Sequence, residues 1–253
     1  MENNPAAHSA MPGPLPFRQT HEESTQGLSA IMKPPSESTI RLLNRGLFVA
    51  GTVPFLSLAL GSLTHGLGAN PVETISHSSG LWTLRLLLGT LAITPLAKFP
   101  GGHWLIRLRR TTALLAFFYA CLHVSNYVIF DHFLDAREIW RDIIRRPFLA
   151  AGMTSFLIMV PLAATSSRAL ARRLGHRNWR LLHRWAYVSA AAGIFHYFWL
   201  VKRDTSGPAF YVAILAVLLC LRLDDASRRR ASHPSTGPRQ PTIANPSAPQ
   251  PTD

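Results

Sequence analysis

The chain has 253 residues, of which 47% are hydrophobic and 15% are charged, and its formal net charge is +13. Soluble domains usually carry about 25% charged residues, so this composition favours a membrane protein. The basic residues lie between long apolar runs and form no basic and aromatic motif, which argues against nucleic-acid binding. Cys121 and Cys220 lie far apart within apolar runs, and we expect both to be ordinary buried residues.

The two ends of the chain differ from its middle. Residues 1–40 and 224–253 are rich in Pro, Ser, Thr and Ala and show no apolar periodicity, so we predict disordered tails. The first 30 residues also lack the basic start and apolar core of a secretory signal. Nearly all apolar runs lie within 41–223, which we predict to be a single transmembrane domain.

A helix crosses the hydrocarbon core of a bilayer in about 20 apolar residues, with a range of about 17–25. Six segments of the chain meet or approach this length, and the last of them is short. They are residues 46–63, 81–97, 111–130, 148–165, 183–201 and 208–221. The sequence therefore predicts an all-α integral membrane protein, a bundle of about six transmembrane helices.

The basic residues predict the orientation of this bundle. Sixteen Lys and Arg residues flank the spans on the side that carries both tails, and six lie on the other side. Because cytoplasmic connections carry the excess of Lys and Arg, we expect both tails in the cytoplasm.

The connection 131–147 is unusual because it carries four basic and four acidic residues together with large apolar ones. Phe133, Trp140, Ile143 and Ile144 recur near helical spacing, which is typical of an amphipathic helix. We expect this segment to lie on the outer membrane surface. A docking surface for another protein is the alternative.

Three of the eleven histidines, His123, His183 and His196, fall inside predicted spans or at their ends. The others lie in the tails and connections, where a solvated ring is the simpler interpretation. An ionisable group inside a membrane is costly unless it is satisfied, and it usually serves function. Neutral imidazole is a good axial ligand for haem iron, so the pattern indicates a membrane b-type cytochrome. The alternative is a histidine that only hydrogen-bonds between helices.

The order of the spans predicts which histidines meet. His123 and His196 lie near the outer ends of two parallel spans, so they can be the axial ligands of one haem. His183 precedes His196 by 13 residues. On an ideal helix, His183 would therefore lie about 20 Å lower along the axis, and the two side chains would point in directions roughly 140° apart. Either His183 precedes the regular helix or Gly193 distorts it. At the level of His183 the third span offers Arg109, which could neutralise a haem propionate or belong to a positive boundary cluster. A second haem, differently ligated, is possible there.

Several segments together resemble the MsrQ family, also called YedZ, within the ferric-reductase-like transmembrane group. The similarity covers about residues 70–202 and leaves out the tails. The segments that carry it are ISHSSGLWTLRLLLGTLAITPLAK (75–98), LIRLRR (105–110), LHVSNY (122–127), RRPFLAAG (145–152), TS (165–166), RRLGHRNWRLLHRWAYV (172–188) and IFHYFWLVK (194–202).

The resemblance implies a protein of the bacterial inner membrane that binds one or two b haems, and FMN as well. The haem histidines of the family map onto His123, His183 and His196, while the FMN site is not located. Electrons would come from quinol or a cytosolic flavin reductase. They would pass to MsrP, a periplasmic molybdopterin enzyme that reduces methionine sulfoxide in proteins. The chain would thus be an electron-transfer subunit, with the reduction performed by its partner.

Two other functions remain open from the sequence. A ferric or superoxide-forming reductase usually carries a soluble flavin and nicotinamide domain, but a Pro- and Ser-rich tail without a Gly-rich phosphate loop follows Leu223. A ferric-reductase-like electron carrier with another acceptor is a related possibility. A non-haem transporter or structural membrane protein would use the histidines as proton relays or packing groups.

Overall fold

The structure, a computed structural model, describes residues 35–64, 66–201 and 205–231. Within these ranges the regular elements are helices, and eight of them are α-helices. They are α1 (Glu37–Leu63), α2 (Pro71–Leu96), α3 (Arg109–Asn126), α4 (Ala136–Arg145), α5 (Pro147–Ala164), α6 (Arg168–Leu174), α7 (His176–Leu200) and α8 (Ser206–Ala231). A short 3-10 helix, Gly102–Arg107, precedes α3, and a π-helical turn, Tyr127–Asp131, continues it.

Five helical segments among the described residues are long and apolar enough to cross a membrane. They are Glu37–Leu63, Pro71–Leu96, Gly102–Asp131, Pro147–Ala164 and Ser206–Asp224. The predicted span 183–201 covers all of α7 except its first seven residues. Arg177, Arg180 and Arg184 lie within the first nine residues of α7 and make this part of the helix less apolar. With 25 residues α7 is about 37 Å long, enough to cross a bilayer. The predicted all-α membrane bundle is confirmed.

Local capping sets several helix starts. Ser36 Oγ accepts a hydrogen bond from the Thr39 amide, so α1 begins at Glu37, inside the segment predicted as a tail. Asn70 caps α2 in the same way, with Pro71 in the first turn. At the other end of the chain, α8 continues to Ala231, eight residues beyond the predicted domain boundary at 223. Residues 1–34 and 232–253 of the predicted tails lie outside the described residues.

The bundle is built from two antiparallel helix pairs, α2 with α3 and α5 with α7. The pairs meet through α2–α7 and α3–α5 contacts, while α1 packs on α3, and α8 packs on α7 and α2. Leucines of α2 share one buried core with mainly small residues of α3 and α7. This core includes Leu84, Leu87, Leu88, Leu91, Ala116, Ala120, Ala190 and Ile194.

Buried hydroxyl groups join the helices across the apolar interior. The Tyr119 hydroxyl donates to the Gly51 carbonyl (2.7 Å) and accepts from the Phe55 amide (3.1 Å), beside Pro54 of α1. It thus bridges two backbone groups that would pair directly in an undisturbed helix. Ser155 and Ser189 each donate to the other's backbone carbonyl, at 2.8 and 3.0 Å, and tie α5 to α7.

The free cysteines differ from the prediction of burial. Cys121 is half-buried, and Cys220 is exposed on α8. The prediction was wrong for Cys220 because an apolar run in a membrane helix also has a side that faces lipid, so an apolar neighbourhood in the sequence does not require burial against protein.

Residues 136–145 of the unusual connection form the predicted helix, α4. Asp135 caps it by accepting hydrogen bonds from the Arg137 and Glu138 amides. Trp140 and Ile144 point outward, each 65% exposed, whereas Ile143 is half-buried against the bundle.

Candidate functional site

His123 and His196 meet at one end of the bundle. His123 lies in the last turns of α3 and His196 in the last turns of α7, and their ring centres are 6.1 Å apart with planes inclined by 79°. The structure therefore brings together the two histidines that the order of the spans placed at one level.

Each imidazole is held by a backbone carbonyl of the preceding helix in its pair. His123 Nδ1 is 2.9 Å from the Ser76 carbonyl oxygen on α2, and His196 Nδ1 is 2.7 Å from the Phe148 carbonyl oxygen on α5. A carbonyl oxygen can only accept, so each Nδ1 carries the proton and donates it. The Nε2 atom of each neutral ring is then unprotonated and available to a metal ion, the arrangement that orients metal-binding histidines elsewhere.

A glycine gives each ring its space. A Cβ atom on Gly80 would lie 3.1 Å from His123 Cε1, and one on Gly152 would lie 2.8 Å from His196 Nδ1. Both distances are below ordinary van der Waals contact, so each imidazole rests against bare helix backbone.

The same arrangement occurs twice. In each helix pair, the glycine follows the accepting carbonyl by four residues, as Gly80 follows Ser76 and Gly152 follows Phe148. The carbonyl and the glycine are therefore one helical turn apart on the same face. In both pairs, α2–α3 and α5–α7, the histidine is therefore held by the same local arrangement of a backbone carbonyl and a glycine.

The donor set fits a haem iron. A metal–imidazole bond is about 2 Å long, and the ring centre lies roughly 1 Å behind the nitrogen, so two axial imidazoles have centres about 6 Å apart. The observed 6.1 Å agrees with this spacing. Among the described residues, no group of three or more His, Cys, Asp or Glu side chains could hold a metal ion. Two imidazoles without further ligands suit a haem, whose ring supplies the remaining four nitrogens.

His183 lies in a different environment at the opposite end. Its Nδ1 is 3.1 Å from the Trp179 carbonyl oxygen one turn earlier in α7, and its ring stacks on the Trp179 ring with centres 4.1 Å apart. Trp179 Nε1 in turn donates to the Thr165 carbonyl. In the described part of the chain, no second histidine ring contacts His183. Helix α7 runs unbroken from His176 to Leu200, so His183 neither precedes the helix nor is turned by a distortion at Gly193.

Positive charge gathers around His183. Arg109 lies within electrostatic range of His183 and Tyr187, as predicted from its level in the bundle. Arg222 was not identified from the sequence, yet its guanidinium lies over the Tyr187 ring at 4.7 Å and donates to the Tyr187 hydroxyl at 2.9 Å. Tyr187 was also not identified from the sequence. It follows His183 by four residues, and this spacing could have predicted that both lie on one face of α7.

Comparison with known proteins places this geometry in a family. Residues 79–194 match the family model of the ferric reductase like transmembrane component, an interval that includes His123 and His183 and ends two residues before His196. The protein-methionine-sulfoxide reductase haem-binding subunit MsrQ of Herminiimonas arsenicoxydans is 46% identical over 201 residues, covering 79% of this chain and 92% of that protein. The chain belongs to the MsrQ family.

Other members of the MsrQ family show similar agreement. The protein of the same description from Azospira oryzae is 43% identical over 213 residues, or 83% of this chain and 91% of its own length. The one from Deinococcus radiodurans is 41% identical over 186 residues, or 74% and 92%. The resemblance that the sequence motifs indicated is confirmed, and so is the ferric-reductase-like transmembrane fold.

Proposed function

We propose that this chain is a membrane b-type cytochrome in which His123 and His196 are the axial ligands of one haem. The observation that carries the proposal is the pair of imidazoles 6.1 Å apart, each with its Nδ1 proton committed to a backbone carbonyl. The MsrQ relatives are named as haem-binding subunits, which supports the same cofactor.

The chain's own residues prepare this site for electron transfer. Haem would supply a one-electron redox centre. The Ser76 and Phe148 carbonyls fix the plane of each imidazole and increase its basicity, while the glycine backbone beneath each ring prevents sideways movement. Two imidazoles held in this way would keep their positions during electron transfer. Little structural rearrangement then opposes electron transfer.

We propose a separate methionine sulfoxide reductase as the electron acceptor. The relatives are named as subunits of a protein-methionine-sulfoxide reductase, which points to a second protein that performs the reduction. The excess of basic residues on the side of the tails supports an outward position for the His123 and His196 end. A periplasmic, MsrP-like molybdopterin enzyme would meet the haem there, in a protein of the bacterial inner membrane.

The opposite end is the proposed point at which electrons enter. His183, Arg109 and Arg222 present an imidazole and two guanidinium groups there. This set suits the propionates of a second haem, with Arg109 as a counter-charge, or the phosphate of FMN. Membrane quinol and a cytosolic flavin reductase are the two donors we propose.

The visible spectrum of the purified full-length protein tests the proposed cofactor. We expect a Soret band that shifts on reduction with dithionite and is typical of low-spin b haem. A monodisperse, helical protein that binds no haem when haem is supplied would overturn the proposal and favour a transporter or structural role.

A second experiment tests the acceptor. The reduced protein should be reoxidised by a purified periplasmic methionine sulfoxide reductase together with oxidised substrate, and by neither component alone. Repair of oxidised methionine by this chain and an electron donor without the second enzyme would show that the division of labour is wrong.

A further inference from the structure

We propose that a cleft between the first turns of α1 and the start of α3 binds the phosphate headgroup of an anionic phospholipid. The cleft has a volume of about 700 Å³ and lies at the bundle end that carries His183, away from the paired histidines. It is thus separate from the proposed haem site between His123 and His196, and the proposal does not depend on that site.

Positive charge dominates the walls of the cleft. Arg41 of α1, Arg107 at the end of the 3-10 helix and Arg110 in the first turn of α3 line it, together with one acidic residue, Glu37. Glu37 pairs with Arg107. Neither Arg41 nor Arg110 lies within salt-bridge distance of a carboxylate in the described residues. Three guanidinium groups against one carboxylate leave an excess of two positive charges for an anion.

Neutral hydrogen-bonding groups form the floor. The Thr111 hydroxyl donates to Asn44 Oδ1 at 2.8 Å, and Asn44 Nδ2 reaches the Arg107 carbonyl at 3.5 Å. These contacts link α1 to the start of α3 and hold the two walls together. A polar floor below charged walls suits a headgroup that carries both phosphate and hydroxyl oxygens.

The cleft lies at the depth where lipid headgroups are found. The uncharged run of α1 begins at Gly46, only two residues beyond Asn44, so the floor coincides with the edge of the predicted hydrocarbon span. Basic pockets between transmembrane helices at this level bind acidic headgroups. The bilayer already holds a lipid phosphate at this depth, whereas a soluble anion must be drawn there from the aqueous phase.

An apolar lane leads from the cleft along α3. Leu114 lines the cleft, and Phe118 follows it by four residues on the same face; both are 37% exposed. Phe55 of α1 packs edge-on against Phe118, with ring centres 5.3 Å apart, and closes the lane on one side. A ligand that touches both regions needs a charged head and an acyl chain. A free phosphate would use only the head region.

Lipid binding to the full-length protein in detergent tests the proposal. Dissociation constants and shifts of the unfolding temperature are measured with cardiolipin, phosphatidylglycerol and phosphatidylcholine, and with inorganic phosphate and FMN as soluble phosphates. We expect the two anionic lipids to bind and stabilise, with no comparable effect of phosphatidylcholine or of either soluble phosphate. Equal effects of neutral and anionic lipids would overturn the proposal.

Variants locate the binding. Arg41→Gln/Arg110→Gln should weaken anionic-lipid binding by roughly ten- to thirtyfold, since each basic group near the surface contributes on the order of a fivefold change. Arg41→Lys/Arg110→Lys, which retains the charge, should bind nearly as well as the unaltered protein. Arg172→Gln/Arg173→Gln removes two exposed arginines from α6 at the same end and is the matched control.

Three results would refute the cleft as a lipid site. One is equal weakening in the α6 control, which would show attraction by the whole basic surface. Another is unchanged lipid binding in Arg41→Gln/Arg110→Gln. The third is binding of FMN or inorganic phosphate that this variant abolishes, which would assign the cleft to a soluble phosphate. If the double variant does not fold, Arg41→Gln alone, with an expected loss of about fivefold, decides between the same outcomes.

Discussion

Replacement of Gly152 by alanine should disturb the proposed haem site through a single added carbon. The new Cβ would lie 2.8 Å from His196 Nδ1 and 3.1 Å from His196 Cε1. Ordinary contacts of this kind are about 3.5–4.0 Å, so the ring must move by roughly 0.5–1 Å. A binding site needs its groups within about 0.5 Å of the productive geometry, so this shift is enough to misplace an axial ligand.

The free-energy terms of this substitution partly oppose each other. Overpacking a well-packed contact costs about 1–3 kcal/mol, while alanine stabilises a helix interior by about 0.5–1 kcal/mol relative to glycine. The protein should therefore still fold. The strain falls on the His196 imidazole and its 2.7 Å hydrogen bond to Phe148. We expect haem affinity to fall by roughly tenfold or more, with a weaker low-spin signal per protein.

Two further substitutions test whether the effect on haem binding follows the closeness of the added Cβ atom to its neighbours. Gly80→Ala places its Cβ 3.1 Å from the His123 ring and should have a smaller effect in the same direction. Gly89→Ala is the matched control, because its nearest neighbour, Thr112 Cγ2, is 3.9 Å away. Haem titration and electron paramagnetic resonance measure all three variants. Unchanged haem binding in Gly152→Ala, or an equal loss in Gly89→Ala, would refute the reasoning.

Three other predictions concern the rest of the bundle. His183→Ala should leave the low-spin signal of the paired histidines largely intact while slowing reduction from the cytoplasmic side in rapid-mixing experiments; loss of that signal would contradict the separation of the two ends. Tyr119→Phe removes the hydroxyl that bridges Gly51 and Phe55 and should destabilise the fold by about 1–3 kcal/mol in thermal unfolding, whereas an unchanged unfolding temperature would show that the bridge contributes nothing. When a reporter enzyme that is active only in the cytoplasm is fused to the C-terminus, we expect it to be active. Activity of a reporter that requires the periplasm at the same position would reverse the proposed orientation.

The paired histidines were predictable because their placement depends on helix order. Spans that alternate in direction bring the C-terminal ends of α3 and α7 to one level, so His123 and His196 could be paired from the sequence. The groups that hold them could not be identified in this way. Ser76 and Phe148 act through backbone carbonyls, which every residue possesses. Glycines are common in membrane helices, so Gly80 and Gly152 do not indicate in the sequence which side chain packs against them.

The ends of helices and the opposite site were less predictable. The polar composition of residues 1–40 predicted a disordered tail and not the start of α1 at Glu37. Ser36 followed by Glu37 is nevertheless a recognisable signal for a helix N-terminus. Arg109 was placed near His183 from its distance along α3, but Arg222 comes from α8, and the side-to-side arrangement of helices does not follow from hydrophobic pattern alone.

The central claim is that His123 and His196 ligate one and the same haem. Electron paramagnetic resonance of the oxidised full-length protein, with the haem content of each sample measured, tests it most directly in His123→Gly and His196→Gly. Both variants should lose the same low-spin ferric signal, and added imidazole should restore it in each. Loss of two different signals, or a low-spin haem that persists in either variant without imidazole, would contradict the pairing.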